Sequence, residues 1–342
     1  MKPIAIWMIA LTTAVSGVAA AALACAIAAS ATAATAPASA ALQLVSNIPL
    51  GRVHGRIDHL AVDLAHRRLF VSELGNDSLG IIDLAHGTVR TITGLREPQG
   101  IGYVAATDTV YVANAGDGSV RLFRGPGLTP AGEIALGDDA DDVRVDAADH
   151  RLYVGYGSGA LAVIDTTRAA KIADIPLGAH PEGFELERSG TRILVNVPNA
   201  AEIAIIDRVD HRQVARWTTG PLRANFPMAL DPSRGRVLVV FRRPARLGVF
   251  RASDGRLLGS VDTCHDADDV FLDVRRLRAY VICGEGVIDV LAASGDGYRE
   301  LGRIRTSPGA RTGLFVPQLN ELLVAVRATL GTPAGVWAYQ AR

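Results

Sequence analysis

The chain has 342 residues, with 35 basic and 35 acidic side chains, so its formal net charge is zero. That balance gives no reason to expect nucleic acid or an anionic membrane surface as a partner. Hydrophobic residues make up 49% and aromatics 5%, ample apolar surface for the core of one all-β unit of this size.

The N-terminus comes first. After Lys2 the next charged residue is Arg52. The stretch from Ile4 to about Ala29 is apolar and rich in Ala, and Ala38-Ser39-Ala40 supplies a small-x-small cleavage pattern before Ala41. Residues 1–40 therefore read as a Sec-type signal peptide, and 41–342 as a periplasmic or secreted mature chain. The apolar run exceeds the usual signal length, so an uncleaved membrane anchor is the alternative. Leu23-Ala24-Cys25 faintly resembles a lipoprotein site, but Ala22 stands where Leu is preferred. With the leader removed, Cys264 and Cys283 remain. No Cys-x-x-Cys-His run is present, so covalent c-type haem is not expected.

From Leu42 onward one unit recurs: an apolar strand, a polar turn, a strand reading Leu/Tyr-Val, a Gly/Asn/Asp turn, then two more strands. Its anchors are Val71, Val112, Val154, Val195, Val239, Val281 and Val324, spaced by 41, 42, 41, 44, 42 and 43 residues. The ends of the first strands repeat in the same register: Asp63, Val104, Asp146, Glu187, Asp231, Asp273 and Val316. A period near 42 with four short strands predicts a seven-bladed β-propeller of four-stranded antiparallel blades, all-β. The turns Gly75–Ser78 and Gly116–Ser119 are hairpin chemistry with a slight likeness to calcium loops. The seventh unit lacks its fourth strand, while Leu42–Gly51 resembles Lys171–Gly178, the fourth strand of blade three. The mature N-terminus should therefore complete the last blade and remove two open sheet edges.

The repeats Val110–Phe123 ("VYVANAGDGSVRLF") and Leu152–Asp165 ("LYVGYGSGALAVID") resemble the YVTN/YncE-like family of bacterial β-propeller repeats. Tyr111-Val112-Ala113-Asn114 is one residue from the tetrapeptide that names it. The resemblance covers Leu42 to Arg342. It implies the propeller fold but no single activity, since proteins of this architecture include binding proteins, scaffolds, lactonases, a metal-dependent antibiotic lyase and quinoprotein-type dehydrogenases.

Connectors between blades share one face with the second-to-third-strand turns. Lined up, the connectors form a ring rich in Asp and Glu, with His54, His59, His180 and His265 among them. The residue five before each strand-end anchor is Asp58, Gln99, Asp141, Glu182, Phe226, Asp268 and Arg311. This column should approach the axis. Clustered carboxylates repel unless a cation or basic partner relieves them. Asp58, His59, Asp141, Glu182 and Asp268 are thus candidate ligands for a divalent metal, one of Ca, Mg, Mn, Zn or Cu. Solvated connector residues are the plainer reading.

Blade five adds Arg223, Arg242, Arg243 and Arg246 on the same face. With Gln99 and Arg311 they could hold the anionic end of a ligand. Alternatively, they pair with the ring carboxylates. Cys264 and Cys283 also fall there, with a disulfide, a thiolate metal site with His265, or two inert core residues as the readings. The opposite face carries Arg67, Arg68, Arg151, Arg192, Arg234, Arg236, Arg275, Arg276 and Arg278, read as solvated surface or a partner-docking face.

There is no nucleophile elbow, P-loop or dinucleotide fingerprint. Nucleic acid is not expected, because aromatic stacking platforms are missing. The expectation is a monomeric binding or scaffold propeller that holds a small molecule, metal or cell-envelope protein at its acidic-histidine channel face. The alternative is a metal-dependent lactonase-like hydrolase or lyase, in which the cation polarises a carbonyl and His59, His180 or His265 moves the proton.

Overall fold

The computed structural model describes residues 41–342. The expected signal segment, 1–40, lies outside the described residues. Seven four-stranded antiparallel sheets follow one another as blades. Among the described residues there is no α-helix, and none long and apolar enough to cross a membrane.

The second strand of each blade is the most deeply buried. Arg68–Glu73 in blade one and Thr109–Asn114 in blade two are buried at every residue. A strand clamped between two neighbouring blades needs apolar side chains on both faces, so it reads as a continuous apolar run. Phe70, Leu79 and Ile81 of blade one, for example, pack against Ile101, Val110, Val112 and Phe123 of blade two. Each such side chain contributes roughly 1.5–3 kcal/mol when fully buried. The outermost strands, such as Thr88–Thr93, lie against solvent and carry polar residues.

The Gly116–Ser119 turn is held as a hairpin. The Asp117 carboxylate accepts the Ser119 N–H at 3.1 Å. Gly118 sits at φ +61, and a Cβ there would meet the Asp138 backbone nitrogen at 2.1 Å, so only glycine fits. The other turn, Gly75–Ser78, overlaps a short 3₁₀ segment, Leu74–Asn76, with Asp77 in the left-handed region just after it.

The seven innermost strands surround the axis: Leu60–Asp63, Pro98–Val104, Ala140–Asp146, Phe184–Leu186, Arg223–Asp231, Ala267–Asp273 and Gly313–Val316. Blade seven takes three strands from the C-terminus and its fourth, Leu42–Pro49, from the start of the described chain. That strand runs antiparallel to Gly335–Ala341, pairing Leu42 with Ala341 and Pro49 with Gly335. Leu42 is buried beside Tyr280, Phe315, Leu322 and Tyr339, where blade seven meets blade six. In blade six, Cys264 and Cys283 form a disulfide with a Cα–Cα distance of 5.9 Å. Both are buried, and neither sulfur is free as a thiolate ligand for a metal beside His265.

Two predictions follow from this closure and this crosslink. Deleting Leu42–Pro49 should lower stability by at least about 2 kcal/mol and expose Gly335–Ala341 as an aggregating edge. Thermal melts with light scattering check this, and an unchanged melting temperature would count against closure by this strand. The Cys264→Ser/Cys283→Ser variant should lose about 2–4 kcal/mol in denaturant titration, and reducing agent should bring wild type down to the same midpoint.

Candidate functional site

The side chains on the axis come in three levels, each a fixed distance before the strand-end anchors. Five residues before lies the column Asp58, Gln99, Asp141, Glu182, Phe226, Asp268, Arg311. Four before lie His59, Gly100, Asp142, Gly183, Pro227, Asp269 and Thr312. Two before lie Ala61, Gly102, Arg144, Glu185, Ala229, Phe271 and Leu314.

The first level forms the mouth on the connector face. Arginines hold it together. Arg56 Nη2 donates to Asp58 at 3.0 Å and to Gln99 at 3.5 Å, and lies 3.9 Å from Asp268. Arg242 donates to Asp268 and stacks with its guanidinium 3.6 Å from the centre of the Phe226 ring. The Arg311 Nε lies 2.7 Å from Asp268, and its Nη1 donates to both Asp266 oxygens at 3.1 and 3.2 Å. On the far side of the mouth, His180 Nδ1 donates to the Gly157 carbonyl at 2.6 Å, and its Nε2 lies 3.7 Å from Asp141. Asp141, Glu182, Phe226 and Asp268 share a constricted space of about 40 Å³, enough for water.

Below it the channel widens to about 360 Å³. The wall carries His59, Asp142, Arg144, Glu185 and Asp269, and then an apolar rim that includes Val62, Tyr103, Val145, Phe271 and Leu314. Arg144 donates to Asp142 and lies 3.5 Å from Glu185, bridging blades three and four. Asp269 accepts the Gly313 N–H at 2.8 Å and lies 3.8 Å from His59 Nδ1.

Crowding of acids in a poorly solvated channel shifts their protonation. Burial pushes Asp58 up to about 6 and Asp269 up to about 7. Burial, with Asp141 and Asp268 nearby, pushes Glu182 up to about 8. Burial raises Glu185 as well. For His59, burial opposes the charge, but Asp58, Asp269, Asp142 and Asp141 outweigh it and hold its pKa at about 9. His180 behaves alike: burial opposes the charge, and Asp141 with the Gly157 carbonyl lifts its pKa to about 9.

The structure thus gathers Asp58, Gln99, Asp141, Glu182, Asp268, Arg242 and Arg311 at one mouth, with His59 just below and His180 beside it. It does not bring in the rest. His265 is exposed, with only its backbone N–H engaged, by Glu285 at 2.9 Å. Arg223 is exposed and bonds the Gly220 and Leu222 carbonyls, and Arg243 is also exposed. Arg246 pairs with Asp262 at 3.2 Å, so blade five does not present a joint arginine cluster.

No three of the five candidate metal ligands come together. Among the described residues, the only trio of ligand atoms within 4.8 Å of one another is Asp63, His66 and Asp108, on the opposite face. Arg68 occupies that trio, 2.8 Å from Asp63 by Nε and hydrogen-bonded to Asp108, so it reads as an ion pair tying blade one to blade two. Other arginines of that face are matched similarly: Arg151 to Asp165 at 3.1 Å, Arg276 to Asp273 at 2.9 Å, and Arg192 to Glu187. The sequence reading passed over Arg56, Arg144 and Glu185. The available signal was the third level, where Arg144 and Glu185 are charged among Ala, Gly, Phe and Leu.

No family model and no curated protein matches the sequence. The fold is similar to a solved chain of Kuenenia stuttgartiensis hydrazine synthase, with a TM-score of 0.71 and 16% identity over 85% of this chain and 96% of that one. A chain of a mitotic checkpoint complex is similar too, with a TM-score of 0.71 and 13% identity over 86% of this chain and 95% of that one. At such identities the likeness shows the fold alone. The class so defined is the seven-bladed β-propeller.

The protonation of the channel makes a prediction. His59 and His180 hold their protons up to about 9 when folded, against about 6.5 in a free side chain. Glu182 and Asp269 hold theirs to about 8 and about 7, far above free carboxyls. All four bind protons more tightly in the folded state, so their contribution is present at low pH and lost as pH rises through these values. The melting temperature should fall from about pH 6 to about pH 9, and His59→Gln should flatten the upper part of that decline. A flat or rising wild-type profile would contradict the channel electrostatics.

Proposed function

We propose that the mature chain is an exported, YVTN/YncE-like propeller that binds a small polar molecule in its axial channel. The observation that carries this is the 360 Å³ chamber, in the size range of ligand pockets, with charged side chains from blades one, three, four and six above an apolar rim. The chamber is nearly balanced: His59 and Arg144 face Asp142, Glu185 and Asp269, and burial raises Glu185 and pushes Asp269 up to about 7. A neutral or zwitterionic ligand suits such a wall better than a lone ion. The metal-dependent hydrolase or lyase reading is weaker, because three ring carboxylates are already engaged by side-chain cations: Asp58 by Arg56, Asp268 by Arg242 and Arg311, and Asp141 by His180. Export rests on the leader pattern in residues 1–40 and the disulfide.

Thermal-shift screening of neutral and zwitterionic small molecules tests the site, with Ca, Mg, Mn, Zn and Cu as a parallel arm. A true ligand at about a hundred times its dissociation constant should add about 2.7 kcal/mol, and Glu185→Gln/Asp269→Asn should abolish that gain. Stabilisation by a metal alone, lost in Asp141→Ala/Asp268→Ala, would overturn the binding reading in favour of a metalloprotein. The intact mass of the exported protein should place the mature start at Ala41. A mass that retains the leader would overturn cleavage.

A further inference from the structure

Beside the channel mouth, on the connector face, lies a separate cavity of about 120 Å³ lined by Arg56, Asp266, Gly284, Gly309, Arg311 and Arg327. It shares no lining residue with either compartment of the channel. Its walls come from three consecutive blades across the closing seam: Asp266 and Gly284 from blade six, Gly309, Arg311 and Arg327 from blade seven, and Arg56 from the connector into blade one. Thr312 Oγ1 donates to the Ile57 carbonyl at 3.3 Å and ties the last two together.

Three guanidiniums and one carboxylate face this space. The carboxylate is already taken, since Asp266 accepts from Arg311 at 3.1 and 3.2 Å. Arg56 and Arg311 spend part of their capacity on Asp58 and Asp268 behind the cavity. Arg327 has no ion-pair partner among the described residues. The Arg56 Nε is buried without a hydrogen-bond acceptor. Positive charge is therefore left over in this cavity.

The floor is shaped to admit it. Gly309 sits at φ +83, and a Cβ there would meet Arg327 Nε at 2.0 Å. At Gly284 a Cβ would meet an Asp266 carboxylate oxygen at 2.1 Å. Both side chains can lie over the floor only because these positions lack a Cβ.

We propose that this cavity binds a tetrahedral oxyanion, the phosphate or sulfate group of a small molecule. Three guanidiniums, two from blade seven and one from the connector into blade one, can surround a tetrahedral group, whereas a planar carboxylate is satisfied by one fork. The space has room for about four water molecules at their liquid volume, which limits the part enclosed to the anionic group itself. The site stands independently of the channel ligand.

The test titrates the full chain with inorganic phosphate and, in parallel, with glycerol 3-phosphate, by calorimetry in chloride buffer at low ionic strength. We expect saturable binding of at least one probe in the millimolar range or tighter. Preference for the ester identifies an esterified ligand, and preference for phosphate identifies the free ion; either outcome supports the site. Arg327→Gln should weaken binding about tenfold or more, as befits loss of one charge-assisted contact. Arg223→Gln removes an equal charge from an exposed position on the same face and should change affinity less than about twofold. Equal weakening by both variants would reduce the effect to general screening and overturn the proposal. So would saturation by neither probe, or binding unaffected by Arg327→Gln in a variant whose melting temperature matches wild type.

Discussion

Everything on the axis depends on one pairing, the antiparallel ladder between Leu42–Pro49 and Gly335–Ala341. Packing and ion pairs join neighbouring blades, but only this ladder pairs a strand of the last blade with the chain's beginning. Each gap between blades holds its own apolar cluster, and the gap between blades six and seven is completed by Ala41 and Leu42. Without that strand the last blade presents an edge with unpaired N–H and carbonyl groups, and two blades lose the geometry that points their inner strands at a common centre. The first described residues are therefore structural: Ala41 and Leu42 are nearly inaccessible, at 3% and 2% exposure.

Closure imposes a second constraint. Seven inner strands pointed at one axis bring their side chains face to face where water is scarce. Carboxylates there must find cations, take up protons, or separate. All three occur. Arg56, Arg242 and Arg311 span the mouth acids, and Arg144 spans Asp142 and Glu185. Glu182 and Asp269 are held protonated to unusually high pH. A planar guanidinium reaches two acids on different blades, which a compact ammonium does less well. Such pairs are weak evidence for stability, since desolvation offsets much of their attraction. What they supply here is a side-chain link between blades.

The fold was legible because a repeat writes each position seven times. Val71 alone is an ordinary strand residue; seven valines at near-constant spacing define a blade. The same redundancy made the mouth legible, since counting back from Asp63 and its equivalents reaches the axis in every blade. Partner choice was not legible. Arg56 meets Gln99 and Asp268, the latter more than half the chain away, and nothing local in the sequence says which acid an arginine will face. His59 and His265 look alike as connector histidines. Yet His59 lies four residues before its anchor and enters the channel, while His265 lies eight before its own and stays in solvent. Arg144 and Glu185 were not legible as site residues for a related reason: they lie inside the inner strands Ala140–Asp146 and Phe184–Leu186, not in the connectors that mark the mouth.

The distribution of charge then sorts ligands by kind. In the chamber each fixed charge has an internal counterpart, so an ion entering alone must either displace a partner or leave its own charge uncompensated in a poorly solvated space. A molecule carrying both signs, or neither, avoids that cost. At the seam between blades six, seven and one the balance differs, because Arg327 adds a cation without adding an acid. One closed ring thus offers two surfaces of different electrostatic character, a self-neutralised chamber in the channel and a cavity beside the mouth with cation to spare.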